Sequence, residues 1–200
     1  MPLPSPAAPD TGEILVFFRL GPRRCALRRA EVRELLPLPR LSQPPGMPRF
    51  VAGFFDLGGA AQAVLRLGPL LEPDDAAPGA DGPDGNARRG ELPAGSPRNE
   101  AAELYRHILL TVPAAGAPNG LALLVDRVLD VRAVPATALR PVPEGDSLNG
   151  CVVAVVEDGA TLTHLLSAER LLLARERRTL LALEQDAQRR LGAWTADRHG

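Results

Sequence analysis

The chain has 200 residues, enough for one domain or two small lobes sharing a core, with 23 basic and 24 acidic residues and a formal charge of −1. That balance leaves no field to attract nucleic acid or acidic lipid, and every basic residue is Arg. Cys25 and Cys151 stand far apart without C-x-x-C spacing, which predicts two buried free thiols in a reducing compartment. No run approaches the roughly 20 apolar residues that span a bilayer, and the start Met1-Pro-Leu-Pro-Ser-Pro lacks the basic and apolar parts of a signal peptide. A soluble cytoplasmic protein with no direct membrane insertion is expected.

Residues 1–12 read as a Pro- and Ala-rich tail with nothing to bury. Ile14 to Leu20 then reads as a core strand closed by Gly21-Pro22, and Arg24 to Arg28 as a second strand. In Ala30-Glu-Val-Arg-Glu-Leu-Leu36 the apolar positions suit either a short helix or a strand, and periodicity does not decide. Pro37, Pro39, Pro44, Pro45 and Pro48 impose an extended loop by removing donors and restricting the residues before them. The segment Arg49 to Leu67 holds two β-prone runs around Asp56-Leu57-Gly58-Gly59, the pattern of a tight hairpin. It carries no nucleophile, metal cluster or phosphate loop, so it points to a surface for binding other proteins.

From residue 72 to about 100, Asp, Gly, Pro, Ala and Ser dominate and aromatics are absent. Such a segment buries too little surface to offset the entropy of ordering it, and a disordered insertion between two halves of one fold is expected. Tyr105 to Val112 reads as a strand, and Gly120 to Val134 as a long buried strand that bends before continuing. Cys151 to Val156 and Thr161 to Leu165 flank Glu157-Asp158-Gly159, a second hairpin signal. Ser167 is placed to cap a helix to about Leu191, with Leu173, Leu180, Ala187 and Leu191 near one face. Frequent short strands without helical crossovers favour small barrels over a parallel sheet.

Catalytic parts are sparse. His107 and His164 fall within strands, where a structural role is expected, and His199 is in a terminal tail. No local set supplies the four ligands of a zinc site, and no G-x-S-x-G elbow occurs. Gly53 to Gly59 does not follow G-x-G-x-x-G and leads into no long helix. Asp126 and Asp130, four apart on one expected strand, are weak as a carboxylate pair. One Trp and five Phe give no stacking platform for nucleic acid. No enzyme activity, cofactor or metal is expected.

Spaced features over Glu13 to Leu173 resemble the CheW family of chemotaxis coupling proteins. Phe17-Phe18-Arg19-Leu20-Gly21 is similar to its F-x-L-G, and Val32-Arg33-Glu34-Leu35 to its V-x-E-I/V. Gly53-Phe-Phe-Asp-Leu-Gly-Gly59 is similar to G-V-x-N-L-R-G, and Gly120 to Val128 to the G-x-x-V-D-x-V strand. Leu139-Arg-Pro-Val-Pro143 is similar to I-x-P-x-P; Asn149-Gly150, Glu157-Asp158-Gly159 and Leu165-Leu166 match the last hairpin and helix start. The resemblance implies a mainly β fold: two five-stranded SH3-like β-barrels sharing one core, plus a C-terminal helix. The expected division is a tail at 1–12 and a CheW-like domain at 13–173. Within that domain the first lobe is 13–71, the insertion 72–100 and the second lobe 104–166. A helix at 167–194 and a tail at 195–200 complete it.

The resemblance further implies a non-enzymatic adaptor. It would couple the cytoplasmic tip of methyl-accepting chemoreceptors to the regulatory domain of a CheA-type histidine kinase. The alternative is a degenerate CheW-like module that binds a different partner. Partner-binding positions carried over are Val32, Glu34, Gly53, Asp56, Leu57, Gly58 and Gly59. Val32 and Leu57 would give apolar contact, the glycines close backbone approach, and Glu34 and Asp56 polar registration. The departure is Gly58, where the family usually has Arg paired with the Glu at the position of Glu34. Its loss would leave two carboxylates uncompensated and alter partner choice more than stability. Arg33 or Arg66 would be the substitutes for the missing charge.

Overall fold

A computed structural model describes residues 12–71, 106–114, 117–143, 147–148, 150–158 and 161–196. The expected tail at 1–12 lies outside these residues save Gly12, and that at 195–200 save Thr195 and Ala196, which are helical; the insertion at 72–100 and the turn residue Gly159 lie outside them too.

Eleven strands are described: β1 Glu13–Leu20, β2 Arg23–Arg28, β3 Val32–Pro37, β4 Val51–Leu57, β5 Ala60–Arg66, β6 His107–Thr111, β7 Ala122–Val125, β8 Arg127–Val134, β9 Leu139–Pro141, β10 Val152–Asp158 and β11 Thr161–Leu166. A short helix, α1 (Leu67–Leu71), follows β5, and a long one, α2 (Ala174–Ala196), ends the described chain. The strands form two sheets, ordered β8-β1-β2-β11-β10-β9 and β3-β6-β7-β5-β4. One sheet therefore has the five strands expected and the other has six.

Alternation along the strands builds three cores. In β1, Leu15 and Phe17 face the inside of the six-stranded sheet with Ala26, Val134, Ala154, Val156 and Leu165. Leu139, on the far edge strand β9, packs on the same cluster as Val134 of edge strand β8. Both edges reaching one cluster means the sheet curls into a barrel-like wall. The five-stranded sheet does likewise around Ala52, Val64, Ile108, Leu110 and Ala122, joined by Leu36 from one edge strand and Phe55 and Leu57 from the other. The opposite faces meet between the sheets: Val16, Phe18, Cys25 and Leu27 from one, Val51, Ala63, Leu65, Leu109, Leu123 and Val125 from the other. Phe17 and Phe18 are both fully buried, one in each kind of core. Each contributes about 2–3 kcal/mol of burial, so this one dipeptide ties an interior to the interface.

The sheets cut across the expected division into lobes at 13–71 and 104–166. β1 and β2 pair with partners from the second half, and β6 and β7 sit between β3 and β5. Four pairings make these joins, β1 with β8 and β3 with β6 antiparallel, β2 with β11 and β5 with β7 parallel.

Several local expectations are corrected. The ambiguous segment 30–36 is a single 3-10 turn, Arg29–Glu31, followed by a strand. The Glu31 carboxylate accepts from the Arg28 N–H at 3.2 Å and from the Ala168 N–H at 3.1 Å, binding this corner to the end of β11. The run 120–134 is two strands in different sheets, and β8 is mostly exposed rather than buried. Asp126 marks the crossing: its carboxylate accepts from the Gly21 N–H at 2.6 Å and lies 3.6 Å from Arg106. It is therefore not on one strand with Asp130, which instead accepts from the Val131 N–H. Ser167 does not cap the long helix; it precedes a 3-10 turn at Ala168–Arg170 and makes no side-chain cap bond. The helix begins at Ala174, where Glu176 reaches back to accept from the Leu173 N–H at 2.8 Å. His164 lies within β11 as expected, with its Nδ1 buried and unpartnered among the described residues.

Candidate functional site

The hairpin β4–β5 forms where the sequence places it, with Leu57 opposite Ala60. Gly58 and Gly59, at φ of 64° and 88°, form the two-residue turn. Two successive positive φ values match the right-handed twist of the strands and favour glycine at both positions. The Asp56 carboxylate accepts from the Gly59 N–H at 2.6 Å, which fixes the turn from inside. Asp56, Gly58 and Gly59 are exposed, and Leu57 is half-buried against the interior cluster.

Gly53 does allow a close backbone approach, but the approaching backbone is the chain's own. Ser42 of the proline loop exchanges backbone hydrogen bonds with Phe54 at 2.8 and 2.9 Å. A Cβ at Gly53 would lie 2.8 Å from the Ser42 carbonyl oxygen. This position pins the proline loop to β4.

Val32 and Glu34 lie on β3, at the opposite edge of the sheet from β4. Val32 is only 6% exposed and packs in the core between the sheets, whereas Leu35, on the same strand, is 45% exposed. The structure thus gives Val32 a supporting position and offers Leu35 as the apolar surface of this edge. Sequence reasoning missed Leu35 because the pairing of β3 with β6 shifts register between Val32 and Glu34, which breaks the simple alternation.

The carboxylates are less bare than the missing Arg suggests. Glu34 lies 3.4 Å from Arg33, and Asp56 is engaged by its own turn. Arg66 is held elsewhere, donating to the Val51 carbonyl at 2.8 Å. Of the two Arg residues expected as substitutes, Arg33 is the one beside Glu34.

A further set of residues at the hairpin lay outside the sequence reading. Because Leu57 and Ala60 close the turn as a pair, the N–H groups of Ala61 and Ala63 point away from β4. β7 covers β5 only at Val64 to Arg66. Helix α2 supplies the missing partners. Gln188 accepts from the Ala61 N–H at 2.7 Å and donates to the Gly59 carbonyl at 3.0 Å. Glu184 accepts from the Ala63 N–H at 3.2 Å and from the buried Gln62 side chain at 3.3 Å. The match is geometric: four helical residues rise about 6 Å and two strand residues about 6.7 Å. Burial pushes the Glu184 carboxyl above its ordinary range, and the Ala63 N–H partly opposes that. The visible signal in the sequence was a polar pair, Glu184 and Gln188, at i, i+4 on the helix.

Beside this contact lies an apolar groove of about 300 Å³, with Phe54, Phe55 and Pro44 on one wall and Ala187 and Leu191 on the other. Asp56 and Arg190 also line it. No helix among the described residues is long and apolar enough to cross a membrane.

A family model for the CheW-like domain matches residues 15–176. The chain belongs to the CheW-like domain family. A CheW-like fold is also seen in the crystal structure of the scaffolding protein TtCheW from Thermoanaerobacter tengcongensis. That structure aligns at a TM-score of 0.60 and 16% identity, covering 88% of this chain and 96% of the other. No curated protein matched the sequence. The CheW-like model includes every partner-binding position carried over, and it ends at residue 176, so nearly all of α2 (Ala174–Ala196) lies beyond it.

Proposed function

We propose that this CheW-like chain is a non-enzymatic, cytoplasmic adaptor. It couples the cytoplasmic tip of a methyl-accepting chemoreceptor to the regulatory domain of a CheA-type histidine kinase. The observation that carries the reading is the family match over 15–176, which takes in Val32, Glu34, Gly53 and Asp56 to Gly59. The exposed hairpin tip, its turn held by the Asp56–Gly59 bond, supports a docking role because a turn already held in one shape loses less conformational freedom when a partner binds it. Glu34 with Leu35 supplies a polar and an apolar element on the other edge strand.

Gly58 in place of the family's Arg favours one second reading, a CheW-like module that no longer couples receptor to kinase. Titration of the full chain with a receptor-tip fragment and with a kinase regulatory domain separates the two. The adaptor reading expects both to bind, and Gly58→Arg to strengthen receptor binding. Equal affinity of the two forms removes the argument from Gly58. Binding of neither fragment to the wild-type chain leaves the second reading standing alone.

A further inference from the structure

We propose that the C-terminal half of α2, from Glu184 onward, is a detachable cover over the β5 edge beside the Gly58–Gly59 turn, and that a partner docking at the hairpin competes with it. The inference rests on the proposed function for its partner, but not for the cover itself.

Three observations carry it. The first is position: the helix lies almost wholly beyond the matched family domain, yet its side chains bond the backbone of the hairpin nominated for docking. The second is an asymmetry of anchoring. Leu180 is 3% exposed in the shared core and Leu183 packs on it, whereas Gln188, Arg189 and Arg190 are exposed. Leu180, Leu183 and Ala187 thus pack the helix on the shared core, while Gln188, one turn after Glu184, bonds the hairpin backbone from an exposed position. A helical segment of this length has little stability once its contacts are lost.

The third is the quality of the contact at its centre. Gln62 is 1% exposed; its Nε2 lies within 3.3–3.4 Å of the Ala63 and Gly120 carbonyls and of Glu184, while its Oε1 is buried without a partner. Glu184 carries a carboxylate that burial disfavours. A permanent joint would be apolar or fully paired, because an orphaned buried acceptor and a desolvated charge both weaken the closed state. The hydrogen bonds are sufficient to close the edge and imperfect enough to release it.

Competition has a definite signature. A cover closed most of the time lowers apparent partner affinity by the fraction open. Gln188→Ala removes the two bonds at the turn and leaves the nominated docking residues intact. It should speed amide exchange at Ala61 and tighten binding of a chemoreceptor cytoplasmic-tip fragment by about fivefold. Glu184→Gln keeps an acceptor for Ala63 without the buried charge; it should slow exchange at Ala63 and weaken binding of the same fragment. Opposite shifts in the two variants support the cover. Unchanged exchange at Ala61 in Gln188→Ala overturns it, as does faster exchange with unchanged or weaker binding. If no form binds the fragment while exchange responds as expected, the edge contact is present, but the competition is refuted together with the adaptor reading.

Discussion

Gly120 presses its backbone against Thr111: a Cβ at Gly120 would lie 2.1 Å from the Thr111 carbonyl oxygen. The contact is cemented by two bonds, Thr111 N–H to the Leu121 carbonyl at 2.8 Å and Leu121 N–H to the Thr111 hydroxyl at 2.7 Å. With φ at 77°, the position disfavours any residue with a Cβ by backbone strain as well as by overlap. Gly120→Ala should therefore cost about 2–4 kcal/mol, measured by urea unfolding. Gly58→Ala, where no described atom beyond the adjoining residues lies within 4 Å of the added Cβ, should cost only about 1–2 kcal/mol.

Glu184 sets a pH dependence whose sign is fixed by its surroundings. Its folded pKa is raised by burial, so over the window above the ordinary carboxylate value of about 4.3 the folded chain holds a proton that the unfolded chain has released. Stability falls as pH rises through that window, since the unfolded state binds fewer protons there. Glu184→Gln removes this term. Relative to wild type, the variant should gain stability as pH rises from about 4 toward neutrality, read from thermal melts across that range.

The thiols should be silent in the folded chain. Burial pushes Cys25 up to about 12, with Arg23 pulling slightly down, and pushes Cys151 up to about 11 with Glu176 adding to the rise. A thiol-reactive dye at pH 8 should label neither residue until the protein is unfolded, and then both. As pH climbs past the usual thiol value of about 8.5, the unfolded chain loses protons that the folded chain keeps. Stability should decline there.

Much of this fold was legible because short apolar and β-branched runs end at Gly, Pro and Asp turn signals. Ile14 to Leu20 shows as a buried strand, although its unbroken apolar run does not tell that Leu15 and Phe17 face the interior and Val16 and Phe18 the interface, and the Gly58-Gly59 pair marks its hairpin. What escaped were joins between distant residues. The parallel pairings of β2 with β11 and β5 with β7 leave no local mark, so the sheets cross the sequence halves. Val32 was taken for a contact because a register shift at β3 hides which face it takes. Gly53 was assigned to a partner although its close neighbour is Ser42, a proximity set by the path of the proline loop. The bonds of Glu184 and Gln188 to the hairpin escaped the reading, since nothing local shows that Ala61 and Ala63 lack a neighbouring strand.

Coupling is the central claim, and a reconstituted kinase assay tests it most directly. Autophosphorylation of a CheA-type kinase would be followed with and without a chemoreceptor cytoplasmic fragment, as the full chain is titrated in. The account predicts that the receptor fragment changes the kinase rate only when this chain is present, with a saturable dependence on its concentration. A kinase rate that responds identically to receptor with and without the chain would contradict it.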